Sequence, residues 1–133
     1  YLSPDRRTFK RVADDLIQPN GIIGTPDGKT LYVADIGNNK TWAYDIMNDG
    51  TLSNKRLFCE LGSDGMTIDR KGNLYLTGKG VTIFDKEGNL IGNIHIPENW
   101  TANVCFGGKS HKDLYITASK GLYRIRTKMN GAY

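Results

Sequence analysis

Three polar residues recur along this chain at nearly constant spacing: Asn20, Asp64 and Asn103 stand 44 and 39 residues apart. Each opens a short apolar run, namely Asn20-Gly21-Ile22-Ile23, Asp64-Gly65-Met66-Thr67-Ile68 and Asn103-Val104-Cys105-Phe106. One carboxylate and two amides offer hard oxygen donors, which suit calcium, magnesium or manganese better than zinc. An ion held by such donors can polarise a carbonyl and stabilise the oxyanion that forms when water adds. A carboxylate beside it can take the water's proton or protonate the leaving hydroxyl. No Ser-His-Asp or Cys-His arrangement accompanies these residues, so a covalent nucleophile is not expected.

Such convergence needs a fold that carries successive segments to one axis, and the sequence repeats in a way that supplies it. Leu31-Tyr32-Val33-Ala34 returns as Leu74-Tyr75-Leu76-Thr77 and as Leu114-Tyr115-Ile116-Thr117, at offsets of 43 and 40 residues. A polar turn precedes each copy (PDGKT, RKGN, KSHKD). A short polar loop and a further aromatic strand follow it (TWAYDI, VTIFDK, LYRIRT). Two of the units continue through a turn into a fourth strand, LSNKRLFCEL and NLIGNIHIP. Four antiparallel strands in about forty residues make a β-propeller blade.

The chain is therefore expected to be all-β, about three four-stranded propeller blades. Residues 1–16, through TFKRVADDL, would give the last strand of a preceding blade. Residues 17–61 and 62–100 would be full blades, and 101–133 a last blade lacking its outer strand, twelve strands in all. In this fold the residues opening each first strand face the central channel, so Asn20, Asp64 and Asn103 should meet there. Tyr32, Tyr75 and Tyr115 should pack between blades. Three blades cannot close a ring, and open strand edges invite pairing. Either a missing N-terminal half completes the propeller, or a second copy of this chain does.

Asn-Gly and Asp-Gly are also common tight-turn pairs, as Asp27-Gly28 and Asp49-Gly50 are expected to be. The repeat register sets Asn20 and Asp64 apart from these. The loops between second and third strands should lie on the same face and contribute Asp35, Asn38, Asn39, Lys79 and Lys120. Asp35, which ends a buried strand, and Asn103 are the candidate substrate contacts.

The runs QPNGIIGTPDGKTLYVADIGNN, SDGMTIDRKGNLYLTGKGVTIFDKEGNLIGNIHIPE and TANVCFGGKSHKDLYITASKGLYRIR resemble the second half of the senescence marker protein/gluconolactonase family. The combination of NG, DGM and CFGG in this order carries the resemblance, which covers nearly the whole chain. It implies half of a six-bladed propeller and, for the intact propeller, metal-dependent hydrolysis of a sugar lactone. It implies Asn20 as an amide ligand and Asp64 as both metal ligand and catalytic acid or base. The implied metal is divalent, calcium foremost, with magnesium, manganese or zinc as alternatives. The family's early glutamate ligand has no counterpart among these residues. Phosphotriester or other ester hydrolysis at the same metal is one alternative, and a non-catalytic binding platform is another.

Bulk features narrow the partners. The net charge of +4 comes from 18 basic and 14 acidic side chains, and the basic ones are scattered rather than gathered on one element. A nucleic-acid partner is not expected from that distribution. No run approaches the roughly 20 apolar residues that span a bilayer, so no membrane partner is expected either. A soluble protein, cytoplasmic or periplasmic, is the expectation. Cys59 and Cys105 each lie in an apolar strand pattern and are expected to be buried thiols. His95 and His111, in an outer strand and a turn, make no metal site.

Overall fold

Alternating apolar and polar residues, rich in β-branched and aromatic types, become strands here because Gly- and Asp-centred turns cut them into short pieces. The computed structural model describes residues 1–133 and contains three antiparallel sheets. The first comprises β1 (Pro19–Gly24), β2 (Thr30–Asp35), β3 (Lys40–Ile46) and β4 (Leu52–Cys59), with a 3-10 turn at Ile36–Asn38 between β2 and β3. The second comprises β5 (Met66–Ile68), β6 (Leu74–Gly78), β7 (Gly80–Phe84) and β8 (Leu90–Ile94). The third comprises β9 (Thr101–Gly107), β10 (Asp113–Ala118) and β11 (Gly121–Arg126). Within each sheet the strands are neighbours in chain order. These are three propeller blades. No helix is long and apolar enough to cross a membrane.

The turns repeat a single device. Asp69 accepts the amides of Lys71 and Asn73 at 2.8 and 3.0 Å, and Asp85 accepts those of Glu87 and Asn89 at 3.0 and 2.8 Å. A short acidic side chain thus satisfies the amides that a turn would otherwise leave open.

The blades are held by two apolar seams. Tyr32, Ala34, Ala43 and Cys59 of the first blade meet Met66, Ile68, Leu74, Leu76 and Phe84 of the second. Tyr75, Val81 and Ile96 of the second meet Val104, Leu114, Ile116 and Ala118 of the third. Side chains on a strand alternate between faces, so β6 sends Leu74 and Leu76 backward and Tyr75 forward. Tyr32 lies edge-on to Phe58 at 4.9 Å and Tyr75 edge-on to Phe106 at 5.1 Å. Tyr115 holds the equivalent forward position on the last blade and is only half-buried.

Two expectations need correction. There are eleven strands, not twelve, because residues 8–16 form no outer strand. An outer strand bonds to the third strand of its own blade. This segment instead folds on its neighbour through a Leu2–Phe9 bridge, and Asp15 pairs with Lys55 of β4 at 2.6 Å. Cys59 is buried as expected, but Cys105 is exposed. It shares the forward face of the third blade with its cross-strand partner Tyr115, and no blade covers that face. The final residues run back beneath the inner strands, where Ala132 donates its amide to Ile68 at 3.1 Å.

Candidate functional site

Asn20 and Gly21 sit opposite a single residue, Ala34, because the β1–β2 register slips between Pro19 and Ile22. A bulge of this kind re-aims the side chains around it. A second slip in the β9–β10 register leaves Ala102 as the extra residue beside Asn103. Between the two lies the Ser63–Gly65 segment that leads into β5.

The three segments are packed backbone to backbone. The Gly21 amide donates to the Ser63 carbonyl at 3.2 Å, and a Cβ on Gly21 would stand 2.9 Å from the Asp64 carbonyl oxygen. A Cβ on Gly65 would stand 2.8 Å from the Asn103 Cα. Neither glycine has a positive φ, whereas Gly28 (+69°) and Gly50 (+76°) do. The dipeptides Asn20-Gly21 and Asp64-Gly65 are therefore not left-handed turns like their neighbours. Their glycines are small so that adjacent blades can touch.

Buried hydroxyls fasten these joints. The Gly65 amide donates to Thr77 Oγ1 at 2.9 Å, and Thr77 Oγ1 also lies 3.1 Å from the Ala102 carbonyl. Ser63 Oγ accepts the Thr77 amide at 2.8 Å and reaches the Gly65 carbonyl at 2.6 Å. Thr101 Oγ1 accepts the Gly78 amide at 2.9 Å and contacts the Gly80 carbonyl. Thr41 donates to the Leu61 carbonyl at 2.7 Å. No signal in the sequence marks Ser63, Thr77 and Thr101 apart from other hydroxyl residues; their partners are carbonyls and amides of distant segments.

The polar side chains named from sequence have different fates. Asn20 is exposed and makes no side-chain hydrogen bond. Asp64 is half-buried, and its Oδ2 receives a long hydrogen bond of 3.4 Å from Trp100 Nε1. Asn103 is exposed, and its Oδ1 accepts the Val104 amide at 3.0 Å. Asp35 is 0% exposed. Both of its carboxylate oxygens are taken, by the amides of Ile17 at 3.0 Å and Gln18 at 2.7 Å. The expectation that Asp35 touches substrate is corrected by this geometry: it anchors the chain that leads to Asn20. Asn39 spends its Oδ1 on the Gly62 amide at 3.2 Å. Lys79 and Lys120 are exposed, as are His95 and His111.

Trp100 has no place in the sequence expectations. It lies in the loop from β8 to β9, with its indole beside Asp64. The same loop, through His95, Pro97, Glu98, Asn99 and Trp100, lines a recess to which Lys79 also contributes.

The donors fit a hard cation in type. Asp64 keeps Oδ1 free of protein hydrogen bonds and Asn20 keeps its whole amide free. Calcium takes six to eight oxygens, and no group of three or more His, Cys, Asp or Glu side chains gathers in the chain. For such an ion these two side chains would be at most a partial ligand set.

Comparisons with known proteins agree with the fold. A family model described as the SMP-30/Gluconolactonase/LRE-like region matches residues 1–120. A gluconolactonase of Zymomonas mobilis is 33% identical over 145 residues, which span 98% of this chain and 40% of that protein. A lactonohydrolase of Aspergillus oryzae is 32% identical, spanning 99% of this chain and 36% of that one. Among solved structures, a gluconolactonase from Xanthomonas campestris superposes with a TM-score of 0.84 at 35% identity, covering 94% of this chain and 42% of that chain. A regucalcin from Agrobacterium tumefaciens, described as calcium-binding, gives a TM-score of 0.81 at 22% identity. The chain thus spans well under half the length of the curated relatives it matches.

Proposed function

Because this chain belongs to the SMP-30/gluconolactonase/LRE-like family, we propose that it forms part of a propeller that hydrolyses a sugar lactone with the help of a divalent metal, calcium foremost. The observation that carries the reading is the backbone contact of the Asn20-Gly21 and Asp64-Gly65 segments. It sets one amide and one carboxylate at the openings of neighbouring blades. The names of the relatives from Zymomonas mobilis and Aspergillus oryzae support lactone hydrolysis.

Asn20 and Asp64 would hold the ion, whose contribution when bound is a Lewis acid for the lactone carbonyl. Asp64 acts on the water. It accepts a proton as the oxygen adds to the carbonyl carbon, then returns it to the ring oxygen as the C–O bond breaks, leaving an open hydroxy acid. The bulge at Asn20 and the hydroxyls of Ser63 and Thr77 hold the backbone that carries these side chains without touching the reacting atoms. Asn103 lies at the edge of the same site as a candidate substrate contact.

The activity is assigned to the intact propeller. Ile22, Val33, Trp42 and Leu57 form one cross-strand row on the backward face of the first blade. The indole nitrogen of Trp42 is buried there without a hydrogen-bond partner. At the other end Leu122 is 71% exposed. Both faces are suited to further blades, from a longer chain or from a second copy of this one. Lactone hydrolysis by the intact propeller, followed by acid release before and after treatment with a chelator, tests the proposal. Turnover that survives both chelation and Asp64→Asn would remove it.

A further inference from the structure

Trp100 is 45% exposed although its loop is pinned at several points. Ile96 is buried in the seam between the second and third blades. Glu98 Oε1 accepts the Tyr123 hydroxyl at 2.9 Å, the Ser119 amide donates to the Trp100 carbonyl at 3.1 Å, and Thr101 Oγ1 is held against Gly78 at 2.9 Å. The indole is therefore presented to solvent by a rigid support. Ordering it there costs little further entropy when a ligand arrives.

Its orientation has a direction as well. The Nε1 edge faces Asp64 Oδ2 at 3.4 Å, while the exposed part of the ring borders the recess with Lys79, Glu98 and Asn99. The face of an aromatic ring is electronegative, and the axial C–H bonds of a polyhydroxylated six-membered ring are polarised positive. Such a ring can lie on the indole while its hydroxyls reach a cation, a carboxylate and an amide at the recess wall. An acyclic ester offers no such face.

Resting on the lactonase reading above, we propose that Trp100 is the wall on which the sugar ring of the substrate lies, and that it selects ring lactones over acyclic esters at Asp64. Trp100 is then a specificity residue that touches the substrate.

The test is equilibrium binding to the intact propeller protein, followed by calorimetry. The probe is 1,5-anhydroglucitol, a six-membered polyol ring with no carbonyl to open. Wild type should bind it. Trp100→Phe, which keeps a ring, should stay within about threefold of wild type. Trp100→Ala and Trp100→Leu should each lose about tenfold, equivalent to about 1.4 kcal/mol. The same two variants should raise KM for glucono-1,5-lactone with kcat little changed, and leave kcat/KM for ethyl acetate as in wild type. Circular dichroism and melting temperature confirm that each variant is folded. Wild type that binds no polyol ring, or folded Ala and Leu variants that bind it as wild type does, would overturn the proposal. The two readings separate cleanly: no lactone turnover by wild type sinks the lactonase reading, whereas turnover by wild type that is lost in Asp64→Asn, beside a silent Trp100→Ala, sinks only the role of Trp100.

Discussion

Gly65 and Asn103 lie so close across the second and third blades that a methyl group on Gly65 would stand 2.8 Å from the Asn103 Cα. The Asn103 side chain also stands in the way, at 2.7 Å for its Cγ, and while that could turn aside the backbone Cα cannot. Gly65→Ala should destabilise the fold by about 1–3 kcal/mol, the usual cost of forcing extra volume into packed structure. It should also displace Asp64 and reduce lactone turnover. Gly28→Ala is the control, because nothing lies within 4 Å of its added Cβ and only the φ of +69° is strained. It should lower stability by about 1 kcal/mol and leave turnover unchanged. Urea denaturation of both variants with parallel turnover assays decides the matter; equal effects of the two on activity would count against the close-approach role of Gly65.

Asp35 should behave as an anchor and not as a substrate ligand. Asp35→Ala leaves the amides of Ile17 and Gln18 without their acceptors, a loss of about 1–3 kcal/mol. Asp35→Asn keeps one carbonyl acceptor and should lose less. In variants that remain folded, KM for the lactone should move by less than about twofold. A large KM change with unchanged stability would restore Asp35 to the substrate site.

Thr101→Val removes the hydroxyl held between Gly78 and Gly80 while keeping the side-chain shape. The Gly78 amide is then unsatisfied, and about 1–3 kcal/mol should be lost. Thr101→Ser should recover most of it. Thermal unfolding compares the three proteins, and a Val variant as stable as wild type would deny the hydroxyl this role.

Burial pushes the Cys59 thiol from an ordinary value of 9.0 up to about 11. The unfolded chain ionises first, so it binds fewer protons than the folded one between about pH 9 and 11. Stability from this group is fully present below pH 9 and falls as pH rises through that window. The loss approaches roughly 2–3 kcal/mol for a shift of about two units. Replacing Cys59 with Ala should flatten the alkaline decline of the urea midpoint relative to wild type. Cys59, closed in the seam, should resist a thiol reagent at neutral pH in the native protein and react only after unfolding, and rapid labelling of Cys59 in the native protein would contradict the seam.

The repeat of Leu-Tyr strands at offsets of 43 and 40 residues was enough to fix blade architecture, since side-chain alternation and turn chemistry are local properties. It also placed Asn20, Asp64 and Asn103 at equivalent openings. What it left open was whether Asn20-Gly21 and Asp64-Gly65 were turns or contacts. Composition does not distinguish them from Asp27-Gly28; the sign of φ and the identity of the neighbour do. Residues 8–16 carry strand-like alternation, yet an outer strand forms only where a partner edge stands ready.

Sequence alone determined the all-β class and the blade period, because each follows from spacing and residue type. Tertiary structure decided that Asp35 is consumed by the amides of Ile17 and Gln18, that Cys105 is open while Cys59 is closed, and that Trp100 stands beside Asp64. These outcomes depend on which distant segment covers a given face, and no local pattern records its neighbour across a seam.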